Sequence, residues 1–267
     1  MHRFFVPIKL RGEVGERFML EGTDAYHMIN VLRKKTSDAV TVCDKDGSAF
    51  LCVIEALFPS RQGEPPRAEL AVRGKADEVG SGTASQRRKV LFQAFAKSDK
   101  MDLIVQKATE LGVTEIVPVY MKRCVSVPDA RGATHKNERW TRIAYEASKQ
   151  CKRNTVPSVL PPVSFSDALK SMKENDIYFC CHEDAKYPLR SFLGSSPSFN
   201  TEDSSIAFLI GPEGGYDPEE TEELNSLGIP LVSLGSLILR TETAPLAVLS
   251  MLLYEDMPRF CAADGIY

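Results

Sequence analysis

The sequence has few of the residues that build metal sites or disulfide frameworks. Its four histidines are dispersed, and its seven cysteines are an odd number with no CxxC spacing. A zinc site needs several Cys or His ligands close together, so no metal is expected. Scattered cysteines in this number are typical of reduced thiols in a cytosolic chain.

Long apolar runs are also missing. No segment approaches the roughly 18 consecutive apolar residues that would cross a bilayer, although 43% of the chain is hydrophobic, which is normal for a globular protein. The opening residues 1–7 contain no apolar signal core and are typical of the start of a strand. The sequence therefore predicts a cytoplasmic protein with no membrane partner.

The formal net charge of −3 hides an asymmetry. Residues 84–155 carry 15 Lys and Arg against 7 Asp and Glu, whereas residues 156–267 carry 6 against 17. A basic block beside an acidic one indicates that one surface binds a polyanion. Two solvated faces of opposite sign would give the same counts, so charge alone leaves both interpretations open.

Residues 1–73 are predicted to form a small β-barrel-like domain with one short helix, capped at its start by Asp24. Residues 74–85 are rich in Gly, Ser and charge and indicate a linker. The strand predictions, with turn residues between them, are Arg3–Pro7, Arg17–Glu21, Ala39–Cys43, Ala49–Leu57 and Ala68–Arg73.

Residues 86–267 change to alternating strands and helices, which indicates one α/β domain with a parallel sheet. The predicted strands are Lys89–Phe95, Glu115–Tyr120, Asp176–Cys181, Ser205–Ile210 and Leu231–Leu234. The predicted helices are one capped by Ser98 or Asp99 and closed by Gly112, a basic helix Lys136–Lys152, Asp167–Lys173 capped by Ser166, Asp217–Ser226 and Thr243–Tyr254.

Two loops of this domain carry unusual chemistry. Gly211-Pro-Glu-Gly-Gly215 follows a predicted strand, and its glycines let a ligand approach the backbone closely. It has neither P-loop nor dinucleotide-binding spacing, and Glu219 and Glu220 in the next helical turn would repel a phosphate. The other interpretation of this loop is a tight turn without a ligand.

The second loop contains Arg240-Thr-Glu-Thr243 before an apolar helix. An arginine and a glutamate two residues apart are suited to binding an anionic group and accepting a proton. A salt-bridged helix start capped by a threonine is the structural alternative. A third cluster, Glu146 to Asn154, offers donors for phosphates and bases, but a cationic helix end has the same composition.

Taken together, these residues resemble the RsmE family of ribosomal RNA methyltransferases, members of the SPOUT superfamily. The resemblance covers nearly the full length, and the motifs are specific as an ordered set. It is carried by Gln93–Val119 (QAFAKSDKMDLIVQKATELGVTEIVPV), Glu146–Asn154 (EASKQCKRN), Leu209–Gly215 (LIGPEGG), Leu234–Thr243 (LGSLILRTET), and the opening HRFFV with His27–Arg33 (HMINVLR).

The resemblance implies an N-terminal PUA-like β-barrel that helps to bind RNA and a C-terminal SPOUT domain, 86–267, with a deep trefoil knot. It also implies a homodimer, S-adenosylmethionine as cofactor, no metal, and methylation of N3 of one uridine in small-subunit (16S) ribosomal RNA, free or within the small ribosomal subunit. The family's knotted loops bind the cofactor largely through backbone groups.

Carried over to this sequence, the resemblance assigns three sets of residues. The catalytic residues are Arg240 and Glu242. The cofactor-binding residues are Leu209, Ile210, Gly211, Pro212, Gly214, Gly215, Leu234, Gly235, Leu237, Leu239 and Thr241. The RNA-binding residues are Arg33, Glu146, Gln150, Lys152, Arg153 and Asn154.

Two other functions are compatible with the sequence. A non-catalytic RNA-binding or ribosome-assembly protein would account for the basic block, but it would not need the glycine-rich loop beside Arg240-Thr-Glu-Thr243. A SPOUT methyltransferase acting on another nucleotide would keep both loops, because pocket shape determines which base is modified.

Overall fold

The computed structural model describes residues 1–61, 63–76, 87–201 and 203–257. The chain forms two compact units, one of Met1–Gly82 with Ser148–Thr155, the other of Thr83–Ala147 with Val156–Tyr267. Of the stretch predicted to be a linker, residues 74–85, Gly74 and Lys75 belong to a strand, and residues 77–85 lie outside the described residues. Within the described residues, no helix could cross a membrane.

The first unit contains a five-stranded sheet in the order β1-β3-β4-β5-β2. β1 runs parallel to β3, and the other pairs are antiparallel. β1 and β2 are unpaired edges, so hydrogen bonding gives a half-barrel where the sequence predicted a barrel-like unit. The strands are β1 (Arg3–Phe5), β2 (Arg17–Glu21), β3 (Ala39–Cys43), β4 (Ala49–Phe58) and β5 (Arg67–Lys75).

Strands at the edge of the first unit's sheet can bury alternate residues, because successive side chains of a strand point to opposite faces. In β2, for example, Phe18 and Leu20 are buried and their neighbours are exposed. Helix α1 (Gly22–Tyr26) continues into a π-helical segment, His27–Val31, whose Met28 is fully buried in the same core.

The second unit contains a parallel sheet in the order β12-β10-β11-β6-β7-β8, with β9 also paired to β7. Its strands are β6 (Lys89–Ala94), β7 (Glu115–Tyr120), β8 (Ser158–Val159), β9 (Val163–Ser164), β10 (Ile177–Cys181), β11 (Ile206–Ile210) and β12 (Leu231–Val232). Its helices are α2 (Ser98–Glu110), α3 (Ala130–Gln150, whose last turn falls in the first unit), α4 (Phe165–Met172), α5 (Leu189–Ser195), α6 (Pro218–Ser226) and α7 (Ala244–Glu255), with a 3-10 helix at Pro197–Asn200.

Helices cover both faces of the parallel sheet. One face packs Leu91 of β6 with apolar residues of α2, α3, α5 and α7, including Trp140. The other face packs Val90 and Phe92 of β6 with residues of α4 and α6. Because both faces are covered, β6 and β11 are buried along their whole length. Ligands of such sheets bind at the carboxyl ends of the strands.

Several predicted helix starts are wrong. Asp24 lies inside α1, where its carboxylate is buried against Lys149 at 3.2 Å. Lys97 is the N-cap of α2, because Met101 already donates to its carbonyl at 3.0 Å; Ser98 and Asp99 are therefore helical. The basic helix begins at Ala130, six residues before the predicted start, and ends at Gln150.

The start of α4 is also shifted. Ser164 is its N-cap, in place of the predicted Ser166, since its Oγ accepts a hydrogen bond from the Asp167 amide at 3.2 Å. Asp217, predicted as the first residue of its helix, is instead the N-cap of α6 and forms a reciprocal capping box with Glu220.

Candidate active site

A pocket opens at the carboxyl ends of β10, β11 and β12. It is formed by the residues after β10, by the glycine-rich loop after β11 and by the long loop that joins β12 to α7. The lining residues are Cys181, His182, Glu183, Ile210, Gly211, Pro212, Gly215, Tyr216, Val232, Ser233, Leu234, Gly235, Ser236, Leu237, Ile238, Leu239, Thr241 and Ala244.

The glycine-rich loop needs its glycines for two physical reasons. A Cβ on Gly211 would lie 3.0 Å from the ring of Tyr216, and Gly215 has a φ of +69°, in the left-handed region that glycine tolerates. The buried hydroxyl of Tyr216 donates to the Leu209 carbonyl at 3.3 Å, which folds the loop back onto β11. Burial raises the pKa of Tyr216 far above its ordinary value, so this hydroxyl stays protonated.

Thr241 joins the two loops. Its buried hydroxyl donates to the Gly211 carbonyl at 2.7 Å and accepts from Gln93 Nε2 of β6 at 3.1 Å. Thr241 therefore fixes the backbone from which the side chains of Arg240 and Glu242 extend beside the pocket.

A charged cluster lies next to this junction. Lys100 Nζ of α2 lies 3.0 Å from Glu242 Oε2 and 3.3 Å from Glu213 Oε1. Burial alone would raise the pKa of Glu242, but a hydrogen bond from its own backbone amide and the contact with Lys100 outweigh burial and lower it. The hydrogen bond to Glu242 in turn raises the pKa of Lys100. Glu242 is therefore ionised at neutral pH.

Arg240 differs from Glu242 in its surroundings. Its side chain is exposed, and within the described part of the chain it makes no hydrogen bond or ion pair. Its five N–H donors are therefore available to a ligand beside the pocket.

The structure places most of the predicted cofactor residues on the pocket. Leu209 and Gly214 do not line it: Leu209 is fully buried in β11, and Gly214 packs against Arg123. Those that line it are Ile210, Gly211, Pro212, Gly215, Leu234, Gly235, Leu237, Leu239 and Thr241.

The sequence analysis did not include His182 and Glu183 in the site, although they directly follow a predicted strand. Their position at a carboxyl end was the available signal. It also did not include Gln93 or Lys100. Each contacts site residues that lie more than a hundred positions away in the sequence.

The residues predicted to bind RNA fall in both units. Glu146 is exposed in the second unit. In the first, Gln150, Lys152 and Arg33 are exposed, whereas Asn154 accepts a hydrogen bond from Arg3 at 2.6 Å. The remaining residue, Arg153, is partly buried, and this burial lowers the pKa of its guanidinium.

No group of three or more potential metal ligands occurs in the part of the chain that the structure describes.

Comparison with known proteins defines the class of this fold and site. A family model described as an RNA methyltransferase domain matches residues 83–253, and one described as an RNA methyltransferase PUA domain matches residues 20–60. The chain is thus an RNA methyltransferase of the type that carries a PUA domain.

Relatives identify the family more closely. The chain is 32% identical to ribosomal RNA small subunit methyltransferase E of Bacillus subtilis, over 96% of this chain and 97% of the relative. The crystal structure of the Neisseria gonorrhoeae enzyme of that name, bound to S-adenosyl methionine, has a TM-score of 0.80 at 32% identity, over 96% of this chain and 98% of its own. A putative methyltransferase from Legionella pneumophila, in complex with the same cofactor, also has a TM-score of 0.80, at 26% identity, over 95% and 97% of the two chains. The chain belongs to the ribosomal RNA small subunit methyltransferase E family, which confirms the resemblance seen in its motifs.

Proposed function

We propose that this protein transfers a methyl group from S-adenosylmethionine to N3 of one uridine in small-subunit ribosomal RNA. The observation that carries the proposal is the pocket of glycine-bearing loops joined by Thr241 to the exposed Arg240 and the ionised Glu242. Family membership supports the same activity.

The pocket fits this cofactor in its chemistry. Its lining contains the carboxylate of Glu183 and no lysine or arginine, so it is unsuited to a phosphate and compatible with a cofactor that carries none. Loops 209–215 and 234–239, with Thr241, would hold the cofactor through backbone groups. Gly235, with a φ of +131°, adopts a conformation that exposes backbone without a side chain.

The residues beside the pocket match what N3 methylation requires. Uracil N3 carries a proton and becomes nucleophilic once that proton leaves; the cofactor supplies an electrophilic methyl group. Arg240 would donate to O2 or O4 and stabilise the negative charge on the base. Glu242, held ionised by Lys100, would accept the N3 proton directly or through a water.

For the RNA we propose the first unit together with the basic residues 84–155. In the first unit, Lys152, Gln150 and Arg33 would contact the RNA through their exposed side chains, together with Arg153 and Asn154. Glu146 of the second unit also belongs to the proposed RNA-binding set. Lys149 is excluded from it, because its ammonium is 3.2 Å from both Asp24 Oδ1 and His27 Nδ1. A cytoplasmic location would give the enzyme access to this RNA or to the assembled small subunit.

The proposed reaction is tested by mass spectrometry of ribosomal RNA. A strain lacking this gene should lose one N3-methyluridine from its small-subunit RNA, and the wild-type gene should restore it.

Cofactor binding is tested separately by calorimetry, which should show saturable binding of S-adenosylmethionine that survives a chelator. Intact N3-methyluridine in the deletion strain, or binding that requires zinc, would contradict the proposal.

We also propose that the second unit contains the deep trefoil knot of its superfamily. The support is local: the segment ending at Thr241 packs against Gly211 of the earlier loop and against Gln93. A crystal structure with continuous density through residues 205–257 tests the threading directly.

A homodimer through α7 is a further part of this proposal. Leu249 and Leu252 of this helix are buried within the unit, which accounts for part of its apolar character. A separate stripe of Met251 (42% exposed), Tyr254 (72%) and Met257 (55%) remains on the surface, and homo-oligomers most often close as two-fold dimers.

Light scattering at micromolar concentration should therefore report about twice the chain mass of 29.6 kDa. Replacing Met251 and Tyr254 together by Glu should give a folded monomer, because two charges would be buried in the contact. Leu227→Glu, at a 41% exposed leucine after α6, is the matched control and should remain dimeric. A monomeric wild-type protein would contradict the dimer.

A further inference from the structure

Glu183 is the charged residue of the pocket that the proposed chemistry does not use. It is the second residue after β10 and lines the pocket. In the described residues its carboxylate makes no hydrogen bond or ion pair. A carboxylate in a binding pocket without a partner from the protein is available to accept hydrogen bonds from a ligand.

The position of this carboxylate is defined by its neighbours. A Cβ placed on Gly215 would lie 3.2 Å from Glu183 Oε1, so the carboxylate lies against the glycine-rich loop. The preceding residue, His182, stacks on Tyr216 with ring centroids 5.1 Å apart, which fixes the backbone before Glu183.

Sheet geometry separates Glu183 from the proposed site of methyl transfer. β10, β11 and β6 are consecutive neighbours in the sheet, and Thr241 is hydrogen-bonded to Gly211 after β11 and to Gln93 of β6. With neighbouring strands roughly 4.8 Å apart, the backbone of Glu183 lies about two strand spacings from Gln93. The reacting methyl must lie beside Arg240 and Glu242, so Glu183 faces a part of the cofactor that lies several ångströms from that methyl group.

We infer that Glu183 binds the vicinal hydroxyls of the cofactor's ribose. The inference rests on the proposed function, since it concerns the ligand of the same pocket. A carboxylate accepts two hydrogen bonds from a ribose diol, as acidic residues do in dinucleotide-binding folds, and it repels a phosphate at the same place. Glu183 thus selects a ribonucleoside with free 2′ and 3′ hydroxyls and rejects deoxy and phosphorylated nucleosides.

The test combines Glu183→Gln with ligands that lack one group at a time, measured by calorimetry on the full-length protein. S-adenosylhomocysteine should bind the variant about 10–100-fold more weakly than the wild type, the usual scale for hydrogen bonds to a charged group. Its 2′-deoxy and 3′-deoxy analogues should bind the wild type weakly and lose little further affinity in the variant. Asp184→Asn, next to Glu183 but outside the pocket lining, is the control and should bind normally.

Two further ligands show which part of the cofactor Glu183 contacts. 5′-Methylthioadenosine keeps the ribose and lacks the amino-acid part, so the variant should weaken its binding by the same factor. S-adenosylmethionine should lose no more affinity than S-adenosylhomocysteine, whose sulfur carries no charge. A loss limited to ligands with the amino-acid part or with the sulfonium would overturn the inference. It would also be overturned if removing a ribose hydroxyl from S-adenosylhomocysteine weakened binding to the variant by the same factor as binding to the wild type. If the wild type binds none of these ligands, the proposed function itself fails.

Discussion

Arg240→Ala is expected to slow single-turnover methylation of the RNA by about 10²–10³-fold, the usual effect of removing one preorganised donor to a developing anion. The affinity for S-adenosylmethionine should stay within a few-fold, because Arg240 does not line the pocket. Thermal stability should change little, since the side chain is exposed and makes no hydrogen bond or ion pair in the described chain.

Arg190→Ala provides the matched control. Arg190 is an exposed arginine of α5 in the same unit, and its side chain likewise makes no hydrogen bond or ion pair within the described residues. Its replacement should leave the rate, the cofactor affinity and the melting temperature unchanged. A comparable rate loss in both variants would show that the effect of Arg240 is general charge attraction of RNA.

Glu242→Gln separates two roles of this carboxylate. If Glu242 accepts the N3 proton, the variant should lose rate at neutral pH and partly recover at high pH, where solvent removes the proton. The wild-type rate should persist into mildly acidic solution, because the lowered pKa keeps the carboxylate ionised there. The measurement is the pH profile of the single-turnover rate.

Glu213→Gln identifies the alternative, in which Glu242 only holds Lys100 in place. Both carboxylates contact the same ammonium, so a purely structural role predicts similar rate losses and similar drops in melting temperature for the two variants. A stable Glu242→Gln protein with full activity would remove Glu242 from the mechanism.

The strands of three or more residues could be predicted, because each of them combines an apolar run with turn residues at its ends. β2, β3 and β7 have the predicted bounds. β8 and β9 were not predicted, since two residues each are too few for a periodic pattern. Helix α5 was not predicted either: it buries only Leu189 and Leu193 and contains a glycine, so its sequence resembles a loop.

The site was predictable at the level of loops and less so for single contacts. The glycines of residues 211–215 and the Arg240-Thr-Glu-Thr243 segment can be recognised because their residue types are unusual after a strand. The hydrogen bond between Gln93 and Thr241 spans 148 positions, and the contacts of Lys100 come from a third element. No local pattern contains such information, because it depends on which strands become neighbours.

At the other end of β6, a buried ionic cluster joins the beginning of the sheet to the end of α7. Lys89 Nζ lies 2.6 Å from Asp256 Oδ2, and Arg87 lies 3.6 Å from the other oxygen of the same carboxylate. Arg87 also stacks on Phe199 at 4.5 Å and donates to two carbonyls. The side chains of Arg87, Lys89 and Asp256 are 6%, 4% and 2% exposed, so each charge depends on the others for compensation.

Asp256→Ala should destabilise the second unit by about 3–5 kcal/mol, because it leaves two buried cations without their carboxylate. For a unit of this size the melting temperature should fall by roughly 6–20 °C. The only tryptophan, Trp140, is buried in the same unit and reports its unfolding by fluorescence. Glu222→Ala, which removes an exposed carboxylate of α6 that has no partner in the described chain, is the control and should change the melting temperature little.

A double-mutant cycle shows whether the loss comes from the ion pair. Lys89→Met alone should also destabilise, since it leaves Asp256 with the more distant Arg87. Combining it with Asp256→Ala removes both charges of the 2.6 Å pair, so the combined loss should be clearly smaller than the sum of the two single losses. Additive losses would mean that the two side chains act independently, and that Asp256 stabilises the protein only as the C-cap of α7. A strong coupling would instead show that the end of α7, the helix that follows Arg240 and Glu242, is held to β6 by charge. The loop that carries Arg240 and Glu242 would then be anchored on both sides: at Thr241 by hydrogen bonds, and at the far end of α7 by this pair.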